Sequence, residues 1–466
     1  MSLPNTHWGA QAIGGLLASC RSVFFIGVGG VSMCSLAQIT LLDGMRVTGS
    51  DRTESERLAR LRSMGADIYI GHRAEQVENA DAVVYTVAIG EENPEYQAAK
   101  QAGKPLISRA DYLGYLMMRF STRVGVSGMN GKSTTTAMIA HLLMQTGDPT
   151  VFGGADAKEL GGNSCRIGQA RDQLVFEACE YKDSFLDLNP TLAVILNIGM
   201  DHVDYFHSME QIRQSFLTYA RRTGTQGTAL VNADDVELML AMEPFEGKRV
   251  TFGVQQEADF QAVGITSDHG RRQFDFCHRG EKLCRISLRQ PGDYQVYNAL
   301  AAASAAYLCG VSPELIASGL ATFSGVQRRM EYRGILNGAT VYDDYAHHPS
   351  AIEATLAGAR EMGYERVLCA YQPHTYSRTA GLFEEFSRAF DIADRVYFAD
   401  IYAARETNES GVSSAQLAKA VGERAVCCGD LQTLAGTLAR EVRSGDLLLI
   451  MGAGDIENVF DLLNLG

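Results

Sequence analysis

The sequence predicts an α/β protein built from doubly wound parallel sheets. Short apolar runs such as Val23–Ile26, Gln173–Glu177 and Arg366–Tyr371 alternate with helical segments, which is typical of strands buried on both faces. Two glycine-rich loops, one after Ile26 and one in the segment that begins at Arg123, each separate a strand from a helix. A chain of 466 residues is too long for one core. We therefore expect several α/β units in series.

The predicted elements follow one another along the whole chain. Further strands are expected where apolar, β-branched or aromatic residues cluster, and helices where apolar residues recur at helical spacing. These strands are Arg46–Thr48, Ala82–Thr86, Pro105–Ile107, Leu192–Asn197, Thr340–Asp343, Arg395–Phe398 and Asp446–Met451, with helices at Met33–Leu42 and Gly292–Leu308. The segment Gly247–Arg289 is predicted to form short strands and turns. Composition and the repeated glycine loops divide the chain into domains at 1–118, 119–327 and 328–466.

The bulk composition excludes some classes of partner. The formal net charge of -14 argues against nucleic acid, whose binding proteins carry a basic face. The ten cysteines form no CxxC pair and no zinc-type cluster, which is typical of reduced thiols in a cytoplasmic protein. We see no signal-peptide pattern and no apolar run of transmembrane length. A cytoplasmic protein without a membrane partner is expected.

The first glycine loop is FFIGVGGVSM, with Gly27, Gly29 and Gly30 between a strand and a helix. Glycines here let the backbone approach a diphosphate, and the helix N-terminus adds N–H donors. Asp51 ends the next strand, where its carboxylate can bond a ribose hydroxyl. The third glycine of a dinucleotide fingerprint is replaced by Ser32, so the motif is weak. The diphosphate of NAD, that of a UDP-sugar, or a tight turn without a ligand would each fit.

The second glycine loop, RVGVSGMNGKSTTT, is more specific. Gly128 and Gly131 permit a loop whose amides face a phosphate, and Lys132 can reach the β- and γ-phosphates. The hydroxyl of Ser133 can bind Mg²⁺. The first glycine of the eight-residue Walker pattern would fall on Val126, so this is a shortened GxxGKS form. A Gly-Lys-Ser turn without phosphate is the alternative.

Acidic and histidine side chains follow two predicted strands of the middle region. Glu177 ends one strand, and Asn197, Asp201 and His202 follow another. The carboxyl ends of parallel strands meet at one edge of the sheet, so these residues should converge on Lys132. Glu177 and His202 can then bind Mg²⁺ near a γ-phosphate. Each could instead be a surface charge, and Asp201 could cap a helix that begins near His202.

Charged residues crowd two loops of the C-terminal region, VYDDYAHHPSAI and YQPHTYSRT, together with the preceding segment VQRRMEYRG. Arginine suits bidentate capture of a carboxylate or phosphate. Adjacent His and Asp could form a metal site, but the helical i, i+4 ligand pair is absent from the sequence. A core histidine, or a cap before Pro349, is the alternative for each histidine. The residues are Arg328, Arg329, Asp343, Asp344, His347, His348, His374 and Arg378.

Taken together, the motifs resemble those of the Mur ligases, and most closely those of the alanine-adding branch. GVGGVSM, GKSTTT, LNIGMDHVDYF, GVQRRME, DDYAHHPSAIEATL, QPHTYSRT and MGAGDI occur in family order between about residues 22 and 456. The resemblance implies three domains that bind UDP-sugar, ATP and amino acid. It implies that ATP forms an acyl phosphate on UDP-N-acetylmuramate, which the amine of L-alanine then attacks. ATP and Mg²⁺ are the implied cofactors.

The resemblance also implies roles for residues of the ATP site. Lys132 would stabilise the transferring phosphoryl group, Ser133 or Thr134 would bind Mg²⁺ with Glu177, and His202 would bind a second Mg²⁺. Asn298 lies in the motif nearest the adenine, and Asp344 is expected near the ribose. The implied ATP-binding residues are Gly128, Met129, Asn130, Gly131, Lys132, Ser133, Thr134, Asn298, Arg329 and Asp344.

For the two other substrates, the resemblance implies one site at each end of the chain. The loop Gly27, Gly29, Gly30, Val31, Ser32 and Met33 would bind the diphosphate, with Asp51 and His72 toward the uridine. His348, His374 and Arg378 would surround the amino acid, with His348 and Arg378 taking part in catalysis.

Three departures from the family pattern leave alternatives open. The loop reads Met129-Asn130 instead of Thr-His, the acidic motif contains Cys179, and the adenine motif reads Tyr294-Gln295-Val296-Tyr297-Asn298. A diverged paralogue without turnover, a tripeptide ligase and an NAD(P)-dependent oxidoreductase are the competing functions. Selectivity among alanine, serine and glycine, and the oligomeric state, stay open.

Overall fold

The computed structural model describes residues 3–202, 205–404 and 406–466. Val203 and Asp204 of the LNIGMDHVDYF segment lie outside the described residues. The strands of these described residues form three sheets that follow one another along the chain, of 5, 10 and 6 strands. None of the helices in the described ranges is both long and apolar enough to cross a bilayer. The predicted α/β class is confirmed, and the exact domain boundaries stay predictions.

The first sheet is fully parallel, in the order β3-β2-β1-β4-β5. Its central strand, SVFFI, is buried on both faces because helices cover both sides of the sheet. The strand order reverses beside β1, which opens a crevice at the carboxyl ends of β1 and β4. The elements are α1 (Ala10–Leu17), β1 (Ser22–Ile26), α2 (Val31–Leu42), β2 (Arg46–Asp51), α3 (Glu56–Ser63), β3 (Asp67–Ile70), β4 (Ala82–Tyr85), α4 (Pro94–Gln101), β5 (Leu106–Ser108) and α5 (Arg109–Leu116).

The second sheet has the order β15-β14-β13-β12-β11-β10-β6-β9-β7-β8. Its middle strands are parallel, and β13–β14–β15 form an antiparallel extension at one edge. Helix α9 is rich in alanine, which lets it pack closely against α6. The elements are β6 (Thr122–Ser127), α6 (Lys132–Leu143), β7 (Thr150–Ala157), β8 (Asn163–Arg166), β9 (Gln173–Glu177), β10 (Leu192–Ile195), α7 (Met209–Arg221), β11 (Thr228–Asn232), α8 (Val236–Ala241), β12 (Lys248–Gly253), β13 (Phe260–Asp268), β14 (Arg271–His278), β15 (Glu281–Pro291), α9 (Tyr294–Leu308) and α10 (Pro313–Thr322).

The third sheet has the order β16-β17-β21-β18-β19-β20, parallel except for the β16–β17 hairpin. Strand β21, DLLLIM, is buried throughout because it lies at the centre of the sheet. The elements are β16 (Glu331–Leu336), β17 (Ala339–Asp344), α11 (Pro349–Arg360), β18 (Arg366–Tyr371), α12 (Tyr376–Gly381), α13 (Phe383–Arg388), β19 (Arg395–Ala399), α14 (Ser414–Val421), β20 (Ala425–Gly429), α15 (Leu431–Glu441) and β21 (Asp446–Met451).

One local prediction was wrong, and one alternative is not supported. The segment Gly247–Arg289 forms long strands, since β13, β14 and β15 have 9, 8 and 11 residues. The alternative role of Asp201, a cap for a helix near His202, is not seen among the described residues, because His202 has a φ of 51° and the next α-helix that they form, α7, starts at Met209. The Asp201 carboxylate instead accepts a hydrogen bond from the backbone N–H of His202 at 2.7 Å.

Candidate active site

The first glycine loop borders a cleft of about 490 Å³ at the crevice of the first sheet. Gly27 has a φ of 79°, which a glycine adopts readily and which turns the chain from β1 toward α2. The predicted loop residues Gly27, Gly29, Gly30, Val31, Ser32 and Met33 all line this cleft, together with Asp51, Arg57, Thr86 and Arg109. The cleft therefore contains the whole predicted diphosphate loop.

Asp51 fixes the shape of this loop. One carboxylate oxygen accepts a hydrogen bond from the Gly29 N–H at 2.8 Å, and the other accepts one from the N–H of Arg52 at 2.7 Å. A Cβ on Gly29 would lie only 2.8 Å from the Asp51 carboxylate. A side chain at position 29 would displace the Asp51 carboxylate from its hydrogen bond to the loop, so glycine is favoured there.

His72 is separate from the cleft lining. Its Nδ1 lies 2.7 Å from Glu95 Oε2 and 3.0 Å from Ser50 Oγ, and its side chain is 15% exposed. Burial raises the pKa of the Glu95 carboxyl, while its hydrogen bonds to Ser50 and His72 oppose that effect. His72 nevertheless lies close to Asp51, because the N–H of the preceding Gly71 donates to Asp51 O at 2.8 Å.

The second glycine loop is held by the end of strand β10. Asn197 Oδ1 accepts a hydrogen bond from Asn130 N at 2.8 Å, and Asn197 Nδ2 donates to Asn130 O at 3.0 Å. Gly128 and Gly131 have φ values of 139° and 90°, and Gly131 precedes the first residue of α6. The N-terminus of α6 therefore opens onto a constrained loop, as a phosphate site requires.

Lys132 lies within this loop and is paired with Glu180. Its Nζ donates to Gly128 O at 2.5 Å and lies 3.0 Å from both Glu180 carboxylate oxygens. The two side chains are only 14% and 5% exposed. Burial opposes the charge of Lys132, but the carboxylates of Glu180 and Glu177 outweigh it and raise the pKa of Lys132. Lys132 is therefore held as a cation.

Oxygen donors suitable for a hard divalent cation flank Lys132. Ser133 Oγ donates to Glu177 Oε2 at 2.6 Å, directly at the end of β9. On the other side, His202 Nε2 lies 3.8 Å from Glu180, and the His202 ring packs on Tyr181 with centroids 4.7 Å apart. In the described part of the chain, no group of three or more His, Cys, Asp and Glu residues could hold a metal ion alone.

The oxygens of Ser133 and Glu177 fit a Mg²⁺ ion that is also bound by substrate phosphates. Magnesium bound with substrate phosphates usually takes only one or two protein carboxylates and keeps several waters. Ser133 and Glu177 would supply such oxygens beside the loop. The neighbouring Thr134 is buried in α6 and is only 6% exposed.

The predicted adenine and ribose residues are buried in the described structure. Asn298 is 6% exposed, and its Oδ1 would lie 2.3 Å from a Cβ on Gly131, so Asn298 packs directly against the phosphate loop. Asp344 is 4% exposed and accepts hydrogen bonds from the N–H groups of Met330 and Ala346, both at 2.8 Å. Burial raises the pKa of the Asp344 carboxyl.

Arg329 lies two residues before β16 in the C-terminal unit. Its guanidinium is 4.9 Å from the ring centre of Tyr345. Its positive charge acts on Asp344 and partly opposes the effect of burial on that carboxyl. Arg329 and Asp344 therefore lie close together, as the sequence predicted.

The predicted amino-acid residues come together at the contact between the second and third units. Arg378 Nη1 donates to His374 Nδ1 at 3.2 Å, and Arg378 Nη2 donates to Asp201 at 3.1 Å. The Arg378 and Asp201 side chains are both 12% exposed. His374 also stacks on Tyr402 with ring centroids 5.6 Å apart. The Arg378–Asp201 pair links the third unit to the segment beside His202.

His348 precedes α11 at the same contact. Its Nδ1 accepts a hydrogen bond from Ser350 N, while its Nε2 is buried without a partner among the described residues. Burial lowers the pKa of both His348 and His374, so both are neutral at pH 7. Across the contact, Asn130 of the phosphate loop lies 3.5 Å from Ser350 Oγ.

Four residues contribute to these sites although the sequence predicted no specific role for them. Asn197 holds the loop, Glu180 pairs with Lys132, Asp201 pairs with Arg378, and Arg109 lines the first cleft. All but Asp201 follow the carboxyl end of a parallel strand by one to three residues, and Asp201 lies six residues after β10. The strand-end rule applied to every polar residue could have found most of them.

Three family models match consecutive parts of the chain. They are described as Mur ligase family, catalytic domain (residues 22–121), Mur ligase middle domain (126–306) and Mur ligase, glutamate ligase domain (328–454). The chain is 42% identical over 448 residues to the UDP-N-acetylmuramate–L-alanine ligase of Caldanaerobacter subterraneus subsp. tengcongensis, covering 95% of this chain and 97% of that one. It is 41% identical over 446 residues to the ligase of the same name from Clostridium novyi, with the same coverages.

Solved structures agree with these matches. The UDP-N-acetylmuramate–alanine ligase of Thermotoga maritima superimposes with a TM-score of 0.76 at 27% identity, over 95% of this chain and 97% of that chain. A murein peptide ligase from Psychrobacter arcticus has the same fold, with a TM-score of 0.69 at 22% identity over 95% and 98% of the two chains. The family resemblance of the sequence motifs is confirmed, and this chain belongs to the Mur ligase family.

Proposed function

We propose that this enzyme ligates L-alanine to UDP-N-acetylmuramate in cytoplasmic peptidoglycan precursor synthesis, with ATP converted to ADP and phosphate. The observation that carries the proposal is the position of the Lys132 loop. Its Asn130 lies 3.5 Å from Ser350 of the third unit, which contacts His348, and its Lys132 lies 3.0 Å from Glu180, which follows β9. The relatives that are about 40% identical over 95% of the chain carry this activity in their names.

The three units then take the roles of three binding sites. Residues 1–118 would bind the UDP-sugar at the loop Gly27–Met33, and residues 119–327 would bind ATP at Lys132. Residues 328–466 would bind alanine, with the Arg378 guanidinium on its carboxylate and the buried His348 Nε2–H as a further donor. The sheets of the three units correspond to this division.

The proposed ligation has two steps, phosphorylation of the sugar carboxylate and attack of the alanine amine. A lactyl carboxylate oxygen attacks the γ-phosphorus, the bond to the β,γ-bridging oxygen breaks, and ADP leaves. The alanine nitrogen then attacks the acyl carbon while the bond from that carbon to the phosphate oxygen breaks, releasing phosphate and one proton. Lys132 would stabilise the charge of the transferring phosphoryl oxygens.

Ser133 and Glu177 would hold the Mg²⁺ of the nucleotide, and His202 would contribute to a second Mg²⁺. Mg²⁺ bound there neutralises negative charge on the phosphates. Glu177 is suited to this because its carboxylate already lies against the Ser133 hydroxyl at 2.6 Å.

Phosphate release measured with UDP-N-acetylmuramate, ATP and a panel of alanine, serine, glycine and the murein tripeptide tests the proposal. We expect release with alanine. Release with the tripeptide but with none of the single amino acids would contradict it. ¹⁸O in the lactyl carboxylate should appear in the released phosphate if an acyl phosphate forms, and its absence there would exclude that intermediate.

A further inference from the structure

Arg109 lies at the first residue of α5, directly after strand β5. It lines the same cleft as the loop Gly27–Met33. Its Nη1 donates a hydrogen bond to Ser32 Oγ at 3.2 Å, so the guanidinium lies against the glycine loop. This position puts a planar cation inside the proposed UDP-sugar cleft.

The charge of Arg109 has no carboxylate partner at contact distance. Among residues 3–202, 205–404 and 406–466, Arg109 forms no salt bridge. Burial lowers the pKa of Arg109, and Asp187 is the carboxylate whose charge acts on it. The thiols of Cys165 and Cys179 stay neutral at pH 7, because burial raises the pKa of each to about 11. Asp187 is itself bonded to His7 at 2.6 Å. A partly buried guanidinium of this kind is stabilised by an anionic ligand.

The packing of α5 shows where Arg109 lies. Helix α5, which begins at Arg109, packs against the segment Tyr181–Asp187 of the second unit, where a Cβ on Gly114 would meet the backbone O of Asp187. Arg109 therefore lies on the side of the cleft that faces the second unit, which carries Lys132. Arg57, by contrast, is exposed and donates to Gly29 O at 3.0 Å.

We infer that Arg109 binds the lactyl carboxylate of the UDP-sugar and holds it toward Lys132 for phosphorylation. UDP-N-acetylmuramate has two anionic parts, the diphosphate and this carboxylate. The loop amides and the N-terminus of α2 suit the diphosphate. The carboxylate, which must reach the γ-phosphate, matches the bidentate geometry of a guanidinium on the side of the cleft that faces the second unit.

This inference rests on the proposed function and adds a basis for substrate selection. UDP-N-acetylglucosamine carries the same uridine and diphosphate but lacks the lactyl carboxylate. Arg109 would therefore contribute to the binding of one nucleotide sugar and not the other.

Calorimetric titration of the two UDP-sugars tests this assignment without turnover. For Arg109→Gln we expect about 10–100-fold weaker binding of UDP-N-acetylmuramate, as for a hydrogen bond to a charged group. Binding of UDP-N-acetylglucosamine should change by less than about twofold. Arg109→Lys keeps the charge and should recover part of the affinity. Arg46→Gln is the control, because Arg46 is an exposed arginine of the same unit paired with Asp67.

The possible outcomes separate this inference from the proposed function. Equal weakening of both nucleotides would assign Arg109 to the diphosphate and overturn the inference, as would unchanged binding of both. Thermal unfolding checks that each variant is folded, and Arg109→Lys provides the folded variant if Arg109→Gln is unstable. If the parent protein binds both sugars but releases no phosphate with alanine, the proposed function fails while the binding comparison still tests Arg109.

Discussion

Replacing Lys132 with alanine should have two separable effects, on stability and on turnover. The Lys132–Glu180 pair is almost fully buried, with an N–O distance of 3.0 Å. Removing one partner of a buried pair costs about 3–5 kcal/mol, because the other charge is left uncompensated. Removing one preorganised donor to a transferring group costs about 2.7–4 kcal/mol of transition-state stabilisation, a factor of about 10²–10³ in turnover.

A double-mutant cycle with Glu180→Gln distinguishes the two effects. In Lys132→Ala/Glu180→Gln the uncompensated carboxylate is gone, so most of the lost stability should return. Turnover should stay about 10²–10³-fold below that of Glu180→Gln alone, because the phosphoryl group still lacks its cation. Thermal unfolding and phosphate release with UDP-N-acetylmuramate, ATP and alanine measure the two quantities.

The control is Lys104→Ala, which removes a lysine that donates to the backbone carbonyls of Glu78 and Ala80 in the first unit. It should leave turnover unchanged. If turnover of the double variant lies within about tenfold of the Glu180→Gln enzyme, Lys132 only neutralises Glu180 and its assignment to phosphoryl transfer is refuted.

Three further perturbations test other parts of the structure. Glu177→Gln should lower activity sharply, and high Mg²⁺ should restore part of it, because an amide is a poorer magnesium ligand than a carboxylate. An unchanged dependence of activity on Mg²⁺ concentration would show that Glu177 is not a magnesium ligand. Gly29→Val should weaken UDP-sugar binding and leave ATP binding intact, since its side chain would meet the Asp51 carboxylate 2.8 Å from Cβ; a calorimetric loss for both nucleotides would point to misfolding instead. The hydrogen bond to Asp187 raises the pKa of His7, although burial opposes it, so the stability that His7 contributes is complete below about pH 6.5 and is lost as pH rises through the raised pKa. The melting temperatures of the parent and His7→Gln should therefore converge as pH increases from about 5.5 to about 9, and a constant difference would disprove this linkage.

The parallel sheets could be predicted because their strands are continuously apolar. Gln173–Glu177, Arg366–Tyr371 and Asp446–Met451 were predicted with the bounds that the structure has. The antiparallel edge was not predicted as long strands, because the last six residues of β13 are all exposed, and its glycine at position 264 resembles a turn. Its pairing with β14 depends on the partner strand, which local sequence does not specify.

Site residues could be predicted where a side chain that can bind phosphate or metal follows the end of a strand. Lys132, Glu177 and Ser133 meet as expected because the loop and β9 end at the same edge of the sheet. Contacts between units were not predictable, since Arg378 and Asp201 are 177 positions apart and belong to different sheets. Their pairing arises from the packing of two complete domains, for which one sequence has no local signal.

The Arg378–Asp201 contact has a kinetic consequence for the proposed reaction. The guanidinium proposed to receive the alanine carboxylate is already occupied by a carboxylate of the protein, at 3.1 Å. Incoming amino acid must share or displace that partner. We therefore expect an ordered mechanism in which alanine binds last, because the Arg378–Asp201 pair must open before the amino acid can bind. Such an order would keep the aminoacyl acceptor position closed to water while the activated acyl group is present, so that hydrolysis without ligation stays rare.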